Sequence, residues 1–339
     1  MSGARLVLLL ALALGAAAVI DFRQVHRDAV VVDLHADTLL DLAAGKRTLD
    51  GASGGGQVDL PRLRQGGVDV QVFAAYIDPR LGERGRERAE ELIGAFYKAM
   101  ERHRTEIVAA RTVAEIEAAR RAGKIAAVLS VENLGDAIQG EVARVDWLYS
   151  RGVRLASLTW NRANALADGA QEARHGGLSK LGRDVLARME RLGMVVDVSH
   201  LSAEAFWDVV AATRGPVIAT HSNAAAVQPH RRNLTDEQLR AIASRGGVVG
   251  INFYPEFLGG PTLEHVVAHI DHMVGVVGAD HVALGSDFDG IEKVPQGLED
   301  VSRLPNLTQA LMARGYTPQQ VRKILGENAM RVFRQVWGR

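Results

Sequence analysis

The chain has 339 residues, 47% of them hydrophobic, with 40 Lys plus Arg balanced by 40 Asp plus Glu. That much apolar sequence supports a sizeable core and excludes a disordered chain, while zero formal charge argues against nucleic acid or an anionic membrane surface as the main partner. Cysteine is absent, so disulfides and thiolate sites are excluded, and any metal must be held by histidine and carboxylate.

The N-terminus departs from this average. Met1–Arg5 carries one positive charge, Leu6–Leu14 is almost pure Leu, Ala and Val, and Gly15–Ala18 is small. These are the three regions of a secretory signal, with Ala16-Ala17-Ala18 fitting the small-residue cleavage pattern. Residues 1–20 are therefore read as a signal peptide or an N-terminal anchor, which is shorter than an ordinary spanning helix. The expected location is outside the cytoplasm: periplasmic, secreted, or tethered to a membrane by this segment.

Past residue 28 the sequence alternates short apolar runs with longer charged segments of helical spacing. The runs are 29–34, 68–75, 125–131, 155–158, 194–198, 217–220, 248–252 and 282–285. The helical segments include 84–104, 112–121, 179–192, 202–213, 235–244 and 263–277, and a last amphipathic stretch covers 317–336. Ser202 and Thr235 read as N-caps, each with an acidic or amide side chain following within the first turn. Gly123, Gly152, Gly193, Gly215, Gly246 and Gly278 suit helix C-terminal stops. Eight β-then-α units, with strands lacking a polar alternate face, predict a (β/α)8 TIM barrel spanning residues 28–339 as one domain. An open doubly wound sheet is the alternative, weakened because no glycine-rich dinucleotide fingerprint follows the first run.

In such a barrel the chemistry sits where strands end. The first run ends in His35-Ala36-Asp37, the third in Glu132, the fifth in Ser199-His200, the sixth in Thr220-His221-Ser222, and the eighth in Asp287-Phe288-Asp289. Residues i and i+2 of an extended segment project to one side, so His35 and Asp37 can reach one ion; the plainer reading is a loop-start turn. Three of the eleven histidines and three acids at strand ends favour a metal site. Five candidate ligands exceed what one tetrahedral ion with an open position needs, and two ions sharing a carboxylate account for the number better.

On these residues the chain resembles the renal (membrane) dipeptidase family, a branch of the amidohydrolase barrels, from about Val30 to Val336. The motifs that carry the resemblance are Val32-Asp33-Leu34-His35-Ala36-Asp37, Val131-Glu132, Ala167-Asp168, Asp197-Val198-Ser199-His200 and Thr220-His221-Ser222, then Arg231-Arg232-Asn233, Asn252-Phe253-Tyr254, Asp287-Phe288-Asp289-Gly290 and the stretch Pro295–Ser302. Most amidohydrolases carry His-x-His on the first strand, so His-x-Asp points to this branch. The resemblance implies a metallo-dipeptidase with two Zn2+ ions, one held by His35 and Asp37, the other by His200 and His221, with Glu132 bridging. Mn2+ or Co2+ would accept the same ligands. It also implies Asp287 as the acid/base and Arg232 as the partner of the substrate's free α-carboxylate, restricting the enzyme to dipeptides.

Two positions depart from the family. Its strand-four histidine aligns with Trp160, whose indole can only donate, so Asn161 or a loop histidine such as His175 would supply the contact. Phe257 stands where relatives have a tyrosine, although Tyr254 is near. These changes leave an alternative substrate open, an N-acyl amino acid or a lactam. A barrel that has lost catalysis is disfavoured because every ligand and the acid are present. Asp33, Asp197 and Asp289 are read as supports for ligands or loops, and most of the remaining eight histidines as surface or packing residues. A homodimer is compatible with the sequence, which carries no sign of oligomeric state.

Overall fold

The computed structural model describes residues 21–51 and 54–338. The expected export segment, residues 1–20, lies outside them. Nine parallel strands form the sheet: β1 (Val32–Ala36), β2 (Val70–Tyr76), β3 (Ile107–Ala109), β4 (Ile125–Glu132), β5 (Val153–Ser157), β6 (Val195–Asp197), β7 (Val217–Ile218), β8 (Val249–Ile251) and β9 (Val282–Leu284). The order β7-β6-β5-β4-β2-β1-β9-β8 brings β7 beside β8. There a bridge between Ala219 and Val249 closes the ring, with the Ala219 N–H donating to Val248 O at 3.0 Å and the Gly250 N–H to Ala219 O at 2.8 Å. The eight apolar runs are the eight barrel strands, and the (β/α)8 barrel is the observed fold.

β3 is the element that periodicity did not reveal. It lies outside the ring, pairing Ile107–Ala109 with Ile125–Ala127 at the start of β4, and β5 takes over that edge from Leu129 onward. Three residues are too few to display a strand period. β4 is buried along its whole length, as expected of a parallel strand covered on both faces.

Helix boundaries follow local chemistry. Ser202 accepts from the Ala205 N–H ahead of helix Ala203–Ala212, and Thr235 with Gln238 forms a complete capping box ahead of Asp236–Ser244. Gly193, at φ 75°, stops helix Lys180–Leu192. Gly215 has no such role: its helix ends at Thr213, whose backbone is already extended and whose hydroxyl donates to Val209 O at 2.9 Å.

The lower half of the barrel is apolar. Alternate residues Val32, Leu34, Val70, Val72, Ala126 and Val128 form one buried cluster with Leu155, Val195, Ile218 and Ala283. The terminal helix Asn328–Trp337 joins it through Met330, Val332 and Phe333. At the closing seam the backbones approach so closely that side chains are excluded. A Cβ on Gly250 or Gly285 would lie 2.0 or 1.7 Å from Thr220 O, so glycine is needed for the segment carrying His221 to come alongside β8 and β9. Among the described residues no helix is long and apolar enough to cross a membrane.

Candidate metal centre and active-site cavity

The upper ends of the same strands are polar. His35, Asp37, Glu132, His200 and His221 are all buried, and Asp287 joins them from the segment after β9. These strand ends also concentrate left-handed backbone, with φ of 71° at Asn133, 70° at His200, 64° at Asp287 and 67° at Asp289. Such conformations are uncommon for residues with a Cβ and gather where a site over-determines the backbone. β1 and the β9 end are tied by the Asp37 N–H donating to Phe288 O at 2.9 Å and the Asp287 N–H donating to His35 O at 3.2 Å. Below them Asp33 accepts from the Ser286 N–H and hydroxyl at 2.8 and 2.7 Å. Asp33 is thus a brace for the strand bearing His35, as expected.

The expected ligands converge. His35 Nε2 lies 3.4 Å from Asp37 Oδ2, 3.8 Å from Glu132 Oε2 and 3.8 Å from Asp287 Oδ1. On the other side, His200 Nε2 lies 2.8 Å from Glu132 Oε1 and 2.8 Å from His221 Nε2, which is itself 3.7 Å from Oε1. Glu132 thus presents one oxygen to each half of the cluster.

Two findings test whether these groups suit divalent ions. His35 Nε2 and Asp37 Oδ1 are buried without a hydrogen-bond partner, an expensive arrangement unless a ligand fills it. Donor atoms of His35, Glu132 and His221, and again of His35, Asp37 and Asp287, lie within 4.8 Å of one another. The donors are all nitrogen and oxygen, as zinc, manganese or cobalt would accept. The residues fit the group.

Burial and charge act against each other in this cluster. Burial opposes charge on His35, yet Asp37, Glu132 and Asp287 outweigh it and push its pKa up to about 10. Burial holds the Glu132 carboxyl well above its ordinary range, with His35 pulling the other way. The same burial, aided by the nearby Arg232 charge, keeps His200 and His221 neutral, well below their ordinary value. Asp287 is raised to about 6, chiefly by burial. This is the pattern of a site built to hold charge that desolvation would otherwise remove.

Supporting side chains fix orientations. The Thr220 hydroxyl donates to Asp197 Oδ2 at 2.5 Å, leaving its lone pair to accept from His221 Nδ1–H at 2.8 Å. His221 Nε2 therefore faces the cluster unprotonated. Asn252 accepts from the Tyr254 N–H at 2.6 Å through Oδ1, which turns its Nδ2 to donate to Asp287 Oδ2 at 2.8 Å. Asp287 Oδ1 is left facing the cluster. Asp289 acts at the rim, accepting from the Thr38 hydroxyl at 2.6 Å and from Arg47, and so anchoring the loop after β1.

A cavity of about 360 Å³ opens over the cluster, lined in part by Leu40, Tyr76, Trp160, His230, Arg232 and Phe257. That volume is at the small end for ligand pockets. Arg232 is only 4% exposed. Its guanidinium donates to His221 O at 3.1 Å and lies 5.7 Å from the Phe257 ring centre, and it makes no ion pair among the described residues. A buried cation with donors to spare is a ready partner for a carboxylate.

The departures resolve unevenly. His175 does not reach the cavity: it is exposed, with Nδ1 2.7 Å from Glu204 Oε1. Asn161 does, with Oδ1 2.9 Å from His200 Nδ1. Trp160 packs edge-on against Tyr76 at 5.3 Å between ring centres. His230, read as a surface or packing histidine, lines the cavity instead and sits 4.5 Å from Phe257. Tyr76 was missed, although it ends β2 in register with Glu132, and reading every strand end would have found it.

The sequence matches the profile of the membrane dipeptidases, peptidase family M19, over residues 20–337. A dipeptidase of Aspergillus oryzae is 35% identical over 297 residues, covering 83% of this chain and 70% of its own. Among solved structures, the M19 metallopeptidase dipeptidase AC is 32% identical with a TM-score of 0.86, covering 92% of this chain and 99% of its own. A metallopeptidase from Rhodobacter sphaeroides, solved with a phosphinate mimic of the dipeptide L-Ala-D-Ala, is 31% identical with a TM-score of 0.86, covering 91% of this chain and all of its own. The chain belongs to the membrane dipeptidase family, and it is a metallo-dipeptidase built on a (β/α)8 barrel.

Proposed function

We propose that the protein hydrolyses the single peptide bond of dipeptides with two divalent ions, most readily zinc, at the cluster above Glu132. The observation that carries this reading is the split of the Glu132 carboxylate, Oε2 toward His35 and Oε1 toward His200 and His221. In this assignment His35 and Asp37 would hold one ion and His200 and His221 the other, with Glu132 shared between them. When bound, the ions supply Lewis acidity, acidifying water and polarising the scissile carbonyl.

The remaining work falls to the chain's own residues. Asp287, with Oδ2 held by Asn252, takes a proton from the attacking water at Oδ1 and delivers it to the departing amine nitrogen. Arg232 receives the substrate's α-carboxylate through the guanidinium donors that find no acceptor among the described residues. Because Arg232 is buried and fixed against His221 O, the carboxylate must lie close to the reacting bond, which favours dipeptides over longer chains. Tyr76, Trp160 and Leu40 supply an apolar wall to the rest of the substrate.

Zinc content and turnover of a panel of free and C-terminally amidated dipeptides, before and after chelation, test the assignment. Two ions per chain and chelator-sensitive cleavage of free dipeptides are expected. Turnover indifferent to chelation, or intact in His200→Ala, would sink the two-ion reading. Preference for amidated over free dipeptides would remove Arg232's role, whereas preference for N-acyl amino acids or lactams over dipeptides would favour the alternative substrate class that Trp160 and Phe257 raise. Residues 1–20 are assigned to export or anchoring of a single barrel domain. Expression of the full chain followed by fractionation and N-terminal mass analysis tests this, with retention in the cytoplasm the refuting result.

A further inference from the structure

We propose that Asn161 is a positioning residue that sets His200 as an ion ligand, an assignment resting on the two-ion reading above. His200 needs such help more than the other ligands. It stands past the end of β6 in left-handed conformation, φ 70°, so no strand dictates where its ring points. Its Nε2 lies 2.8 Å from both Glu132 Oε1 and His221 Nε2. To serve an ion there, Nε2 must offer a lone pair, and the ring proton must then sit on Nδ1.

That proton requires an acceptor. Trp160, 6.2 Å away between ring centres, has only a donor to offer. Asn161 Oδ1 lies 2.9 Å from His200 Nδ1, and an amide oxygen can only accept. Asn161 is itself held, its carbonyl accepting from the Gln171 N–H at 2.8 Å, while the neighbouring Ala170 N–H donates to His200 O at 2.7 Å. The short segment 161–171 therefore grips His200 at ring and backbone together. His221 obtains the same tautomer by a different route, through Thr220 and Asp197. Removal of Asn161 leaves that route intact and frees one ring only.

The test uses the full-length, metal-free chain titrated with Zn2+ against a chromophoric chelator, alongside Asn161→Ala and Asn161→Asp. In Asn161→Ala one of two binding steps should weaken about 10- to 100-fold, the usual cost of losing a ligand's supporting group, with the other step unchanged. Asn161→Asp keeps an accepting oxygen and should match or exceed the wild type. Wild-type affinities in Asn161→Ala, or equal losses in both variants, would overturn the proposal. If the wild type takes up a single ion, the paired reading fails on its own. The Asn161 assignment then stands if Asn161→Ala weakens that ion and falls if it does not.

Discussion

The two ends of the barrel are made by the same strands and obey opposite rules. At the lower end Val32, Leu34, Val70, Val72, Ala126 and Val128 share one buried apolar cluster with Met330 and Phe333 of the terminal helix. A few residues further along, the same strands carry His35, Glu132, His200 and His221, buried among like and unlike charges. Burial stabilises the first end, at roughly 25 cal/mol per Å2 of apolar area. At the second it forces pKa values apart and leaves His35 Nε2 and Asp37 Oδ1 without partners. The lower end holds the fold on which the polar upper end is built.

That division can be broken by experiment. Asp287→Asn should cut turnover about 10²- to 10⁴-fold, the usual contribution of a positioned acid/base, with melting temperature and metal content unchanged. A matching fall in melting temperature would contradict the separation. Phe333→Ala should do the reverse, destabilising by about 3–5 kcal/mol in a denaturant titration while turnover per folded molecule holds. Arg232→Met should raise KM for free dipeptides by an amount equivalent to about 2 kcal/mol or more, and should erase discrimination against amidated ones. Thr220→Val removes the relay to Asp197 and should weaken one ion about 10- to 100-fold, measured by chelator competition.

The smallest effect sharpens the comparison through pH. His269 is buried between the Ala224 N–H and Leu258 O, and burial lowers its pKa to about 4. Its folded value lies below the ordinary 6.5, so the unfolded chain binds the extra proton between those values. Its stabilising contribution is complete above about pH 6.5 and is lost as pH falls toward 4. Replacement by Gln should flatten the acid limb of melting temperature against pH, and an unchanged limb would refute this.

Much of this was legible in the residues. The strand runs, the caps at Ser202 and Thr235, and the acids and histidines at strand ends follow from local pattern, because strand and helix periods are written in neighbouring residues. What escaped depends on closure of the ring. β3 is too short to show a period, and His230 reaches the cavity only through the chain's return between β7 and β8. His175 was a reasonable candidate by sequence distance alone, yet its loop turns it outward to Glu204.

By itself, then, the sequence determined the barrel, the family and which histidines and acids stand at the strand ends, since each is a matter of residue type and spacing. Tertiary structure alone decided which oxygen of Glu132 faces which histidine, which nitrogen of His200 and His221 is left bare, and that Asn161 stands behind one ring and Thr220 behind the other. Those are orientations set by contacts between strands far apart in the chain, and no local pattern encodes them.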